Sequence, residues 1–106
     1  MDLGKSQSIE SIGTWSTNKG NARGAQRLTL YGSNSQKDPG WRVSNRKKLT
    51  PLGTIDTRSL KQSTFTATAL KARDGQSLGT FRWIYWQVAP VSEKNENTAF
   101  QEFFVK

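Results

Sequence analysis

Apolar residues fall along this chain in short alternating or clustered runs and nowhere in a helical rhythm. No window keeps them at i, i+3, i+4 and i+7, and Gly, Ser, Thr and Asn punctuate the whole length. The first run covers about Ser8 to Thr17, with Ile9, Ile12 and Trp15 interrupted by Gly13. Gln26 to Tyr31 alternates Leu28 and Leu30 against Arg27, Thr29 and Tyr31, and Gly32-Ser33-Asn34-Ser35 should break that strand. Asp38-Pro39-Gly40 is a turn, because Pro presets φ and Gly permits positive φ. Trp41 to Ser44 reads as a short strand, and Thr50 to Thr57 as another, with Leu52 and Ile55 around Gly53.

The clearest alternation is Ser63 to Ala69, with Phe65, Ala67 and Ala69 on one face and Thr64, Thr66 and Thr68 on the other. Arg73-Asp74-Gly75 turns the chain. Phe81 to Val88 is apolar on both faces, as a central strand should be. After Pro90 the charged loop Glu93-Lys94-Asn95-Glu96-Asn97 leads into Thr98 to Val105. Six or seven short strands with turns between them predict an all-β sandwich or barrel, with no internal repeat and no linker.

A length of 106 residues allows one domain spanning residues 1–106. Four Trp, two Tyr and five Phe separate the chain from disordered ones, despite a mean hydropathy of −0.73. It has no cysteine and no histidine. Disulfide frameworks, thiolate nucleophiles, serine triads and HExxH zinc sites are thereby excluded. The remaining acid/base groups, eight Asp and Glu, are scattered. Only Glu93 and Glu96 lie close together, on a solvated loop, so the chain reads as non-enzymatic with no cofactor.

Sixteen Lys and Arg against eight acids give +8, a charge that attracts polyanions such as nucleic acid or anionic polysaccharide, or else simply keeps a small domain in solution. No apolar run reaches membrane-span length, and Asp2-Leu3-Gly4 after Met1 is not a signal peptide. The chain reads as unexported, or as a piece of a larger exported protein.

Asp2-Leu3-Gly4-Lys5, Ile9-Glu10-Ser11-Ile12 and Gln26-Arg27-Leu28-Thr29-Leu30-Tyr31-Gly32-Ser33, followed by Trp41, resemble the middle of a discoidin domain (coagulation factor 5/8 type C-like). Phe81-Arg82-Trp83-Ile84 and the closing Phe100-Gln101-Glu102-Phe103-Phe104-Val105 resemble that family's later strands. The resemblance implies an antiparallel jelly-roll sandwich, galactose-binding-domain-like, and non-catalytic recognition of carbohydrate. It also implies that the chain is short at its N-terminus, since members carry further strands before the Asp-Leu-Gly segment. Glu102 matches a glutamate of the family's calcium site, but the loop completing that site has no counterpart, so no bound metal is expected.

Loops on a rigid sandwich are where ligand contacts sit. Trp15, Asn18, Lys19, Asn21 and Arg23 carry the aromatic face and the donors that a sugar needs, and Lys94, Asn95 and Asn97 form a second candidate loop. Trp15 suits the core equally, given Ile9 and Ile12 before it, and Trp41 reads as structural, closing its turn. Of Trp83 and Trp86, on opposite strand faces, at least one should be buried. Arg42, Arg46, Lys47 and Lys48 form a basic patch able to grip sulfates, or a solvated loop.

The expected partner is therefore carbohydrate, with a preference for anionic or sulfated polysaccharide. One rival is a single-stranded nucleic-acid-binding β domain using Arg82 among Phe81, Trp83 and Tyr85. Another is a binding-incompetent fragment of a larger protein. A shortened sheet would leave an open edge near Asp2 to Ile12, which predicts a homo-oligomer.

Overall fold

The computed structural model describes residues 1–16, 24–42, 48–58, 67–92, 98, 100 and 102–106. The described chain is all-β, with strands β1 (Asp2–Ile9), β2 (Ser11–Trp15), β3 (Arg27–Ser33), β4 (Thr50–Asp56), β5 (Thr68–Lys71), β6 (Gly79–Val88) and β7 (Glu102–Val105). They form two antiparallel sheets, one ordered β1-β6-β3-β4 and the other β5-β2-β7. No helix among the described residues is long and apolar enough to cross a membrane.

The sheets enclose a core of Ile9, Ile12, Leu28, Leu30, Ile55, Phe81 and Ile84, with Leu3, Leu52, Leu70, Leu78, Trp86, Phe100 and Val105 packed around it. The expected first strand is two strands. Ile9 ends β1 opposite Gly79, the chain crosses at Glu10, and Ser11 opens β2 opposite Lys71. Positions three apart on one straight strand face opposite ways. The change of sheet at Glu10 lets both isoleucines enter the core. The closing residue ties this corner, because the Lys106 carbonyl accepts the N–H groups of Glu10 (2.7 Å) and Ser11 (3.1 Å).

β1 itself extends back to Asp2, where the polar stretch Asp2–Ser8 offers no alternation to read. Main-chain pairing holds it instead. The Met1 amino group donates to the Ile84 carbonyl at 2.7 Å, and the Ile84 N–H donates back at 3.0 Å. Between the rungs Asp2–Trp83 and Gln7–Phe81 the strand bulges around Gly4, at φ 79°, a conformation that strains residues bearing a Cβ.

β3 runs on through Gly32 and Ser33 rather than breaking there, because Gly32 is where the Phe81 ring sits. A Cβ at Gly32 would lie 2.5 Å from that ring. β4 and β6 fall close to expectation, with β6 central between β1 and β3. Trp41 and Arg42 are not in a strand, while Val43 and Ser44 lie outside the described residues. Of the expected Ser63–Ala69 strand only Thr68 and Ala69 belong to β5, and residues 63–66 also lie outside. Both expected turns are present. Gly40 N–H bonds the Asp38 carboxylate at 2.7 Å, and Gln76 N–H bonds the Arg73 carbonyl at 2.9 Å.

One end of the core is polar and internally satisfied. The Thr14 hydroxyl donates to the Gln26 side-chain oxygen, Gln26 N–H bonds the Thr57 hydroxyl at 2.9 Å, and the Ser16 hydroxyl bonds the Gly24 carbonyl at 2.6 Å.

In the second sheet the Phe104 ring covers Gly13, its direct cross-strand partner. A Cβ at Gly13 would lie 2.3 Å from that ring and 2.9 Å from the Thr68 carbonyl oxygen. Gly13→Ala therefore overpacks the sheet and should lower stability by about 1–3 kcal/mol in urea denaturation. Adding Phe104→Leu should recover only part of the loss, because the clash with Thr68 backbone remains.

Candidate functional site

Among the clefts that the described residues form, two lie at opposite ends of β1 and β6. The larger, about 750 Å³, forms where the chain changes sheets. The β1–β2 corner contributes Ser8, Glu10 and Ser11, the β5–β6 connection contributes Lys71 and Arg73 through Ser77, and β7 contributes Phe104 with Lys106 just beyond. Three cations, two carboxylates, an amide and three hydroxyls thus line one concavity. Lys106 lies 3.6 Å from Glu10, an exposed and weak pair, whereas neither Lys71 nor Arg73 has an ion-pair partner among the described residues. Side chains of this kind can donate to sulfate or carboxylate oxygens through the cations and accept hydroxyl donors through Glu10 and Asp74, with Phe104 as an apolar wall.

The second cleft, about 300 Å³, is almost wholly apolar, lined by Met1, Trp41, Ile84, Tyr85, Trp86, Val88 and Phe103. Four of the five large apolar residues that stand exposed in the described structure, Met1, Trp41, Val88 and Phe103, meet here. Trp41 is 87% exposed, which overturns its reading as a structural residue. Its carbonyl does structural work, accepting the Tyr85 hydroxyl at 2.7 Å, while its ring stays in solvent. Trp86 and Phe103 meet edge to face at 5.3 Å. The Trp86 indole N–H is buried without a hydrogen-bond partner among the described residues, an arrangement costing about 1–3 kcal/mol.

Of the sugar-contact and basic-patch candidates read from the sequence, only Trp15, Arg42 and Lys48 fall among the described residues. Trp15 is 44% exposed at the end of β2, so it is not a core residue, and it lines neither cleft. Asn18, Lys19, Asn21, Arg23, Lys94, Asn95 and Asn97 lie outside the described residues, as do Arg46 and Lys47 of the basic patch. Arg42 and Lys48 are exposed. Glu102 is exposed opposite Trp15. The cations of the polar cleft come from two segments, Lys71 and Arg73 from one and Lys106 from the other. The only trace of them in the sequence was the Arg73-Asp74-Gly75 turn, which marks a loop and not a site.

Trp83 and Trp86 are both half-buried and face opposite ways, Trp86 toward the core. The aromatic face needed by a nucleic-acid strand is not free. Trp83 donates its indole N–H to the Ser35 carbonyl at 2.8 Å and Tyr85 is tied to Trp41, so residues 34–42 occupy that face. Arg82 is equally committed. It grips the Asp2 carboxylate with two bonds of 2.9 Å, stacks 5.1 Å from the Trp83 centroid, and its N–H bonds Asn34 at 3.0 Å. Phe81 is buried.

No family model, no curated protein and no solved structure matches this chain.

The Arg82 guanidinium, then the Gly4 N–H, hold the Asp2 carboxyl below its ordinary value of 3.8. A depressed folded-state value means that this clamp contributes fully above the unfolded value and is lost as pH falls through the folded one. Arg82→Gln should move the Asp2 titration, followed by NMR, back up toward 3.8 and speed amide exchange in β1. An unchanged Asp2 titration would show that Arg82 does not hold the strand.

Proposed function

We propose that this chain is a non-catalytic carbohydrate-binding module that takes an anionic or sulfated glycan in the polar cleft at the sheet-crossing corner. The observation carrying this reading is the convergence of Lys71 and Arg73, where β5 leads into β6, with Lys106, just beyond β7, on one cleft of oligosaccharide size. Glu10, Asp74, Gln76 and the serines supply the mixed donors and acceptors that sugar hydroxyls need, and Phe104 supplies a face for the apolar side of a pyranose. The net charge of +8 adds attraction at long range. The resemblance to discoidin domains supports the same reading and extends it to a galactose-binding-like jelly roll. The two antiparallel sheets are compatible with that fold.

A glycan array probed at two ionic strengths tests the proposal. Sulfated and uronate-bearing polysaccharides should bind, with affinity falling steeply as salt rises, whereas neutral sugars held by hydrogen bonds alone would show little salt dependence. The double variant Lys71→Gln/Arg73→Gln should lose about tenfold in affinity, at roughly 0.7 kcal/mol per exposed charge, with its thermal stability unchanged. Binding to oligonucleotides but to no glycan would refute the reading, as would a double variant that binds sulfated glycan normally.

A further inference from the structure

The edge of β6 is covered over only part of its length. Ile84 exchanges both of its main-chain hydrogen bonds with Met1, and no described residue pairs with β6 beyond that point on the β1 side. On the other side Ala89 N–H bonds the Arg27 carbonyl, and β3 accompanies β6 as far as Val88. Main-chain groups of an extended strand alternate sides with period two. The N–H and C=O of Trp86 therefore point the same way as those of Ile84, into the line that β1 vacates. The apolar cleft of Met1, Trp41, Trp86, Val88 and Phe103 opens along that same line.

The other outer edges of this sheet carry the usual protection. β1 is bulged at Gly4 and bears Lys5, and β4 carries Pro51. The Tyr85–Val88 stretch has neither a bulge, nor a charge, nor a proline.

From this geometry we infer that the free rung at Trp86 is a strand-addition site, filled by an extended segment of another protein running antiparallel to β6. A lipid tail could fill an apolar cleft but would leave the Trp86 N–H and C=O unmatched, whereas an extended polypeptide supplies apolar side chains and the paired N–H and C=O together. One alternate set of the segment's side chains lies against Trp86, Val88 and Phe103, so that set is apolar. The other set passes Tyr85 and Trp41. Charge selects the flanks: Asp2 is already neutralised by Arg82, Arg42 is exposed beside Trp41, and the chain as a whole carries +8. Acidic flanks are therefore attracted, while a second copy of this chain, with the same +8, is repelled. The site lies at the far end of β6 from the polar cleft and does not depend on the carbohydrate reading.

The probe is an acetylated, amidated heptapeptide, Glu-Val-Thr-Val-Thr-Val-Glu, titrated into the isotope-labelled chain. Amide shifts should change at Tyr85 to Val88 and at Phe103, and exchange of the Trp86 N–H should slow. N-methylation of one alternate set of peptide residues, the set facing β6, should weaken binding at least tenfold, and methylation of the other set should leave it unchanged. Val88→Lys should abolish binding in a chain whose remaining spectrum is intact. Lys71→Gln/Arg73→Gln should bind the peptide normally, which separates this test from the glycan test. Absence of binding, or equal effects from both methylated sets, would overturn the inference. So would concentration-dependent self-association, by sedimentation, that Val88→Lys removes and the peptide does not compete with.

Discussion

The crossing at Glu10 governs the remainder of the structure. By leaving one sheet and joining the other at Glu10, the extended chain sends Ile9 and Ile12 into the same core. Once it does, β1 is committed to β6 and β2 to the middle of the second sheet, between β5 and β7. The corner is closed by main chain rather than side chains, through the Lys106 carbonyl and the adjacent N–H groups. A main-chain clasp leaves the side chains of Ser8, Glu10 and Lys106 free to line the polar cleft beside it. The core and the candidate site are thus two results of one bend.

The two clefts differ in physical character because of where they stand relative to the sheets. At the crossing, loops and strand ends bring main-chain turns and long charged side chains together, and the concavity is polar. At the other end the sheet is simply incomplete on one side. What shows there is apolar matter of the kind that a sandwich normally keeps between its layers: Met1, Trp41, Val88 and Phe103. Polar ligands and polypeptide strands are the respective natural complements of these surfaces.

Much of the fold could be read from the sequence wherever burial imposes a rhythm. β6 reads as central because both of its faces are covered, by the core on one side and residues 34–42 on the other. β4 reads correctly because Ile55 faces inward from an otherwise exposed strand. β1 has no such rhythm: among Asp2 to Ser8 only Leu3 is apolar, and an Asp2–Arg82 pair eighty residues apart holds its start. Gly32 misleads, since a glycine that would interrupt an isolated strand here makes room for Phe81. The site was less legible than the fold. Candidates were sought in aromatic and basic residues adjacent in sequence, most of which lie outside the described residues, whereas the polar cleft is assembled from three stretches, residues 8–11, 71–77 and 104–106.

The pairing scheme also bears on how the chain is made. Residues 2–15 find their partners only at residues 68–71, 79–88 and 102–105, so β1 and β2, made before the other described strands, must wait for strands made much later. At ordinary synthesis rates that delay is roughly 4 to 20 seconds, long compared with the collapse of a chain this size. A leading segment rich in valine and isoleucine would be exposed to other nascent chains throughout the wait. The polarity that hides β1 from pattern reading has the opposite value at this stage. Its serines, lysine and glutamine keep the waiting strand solvated until β6 arrives, and a topology dominated by such distant pairings can then close without first having aggregated.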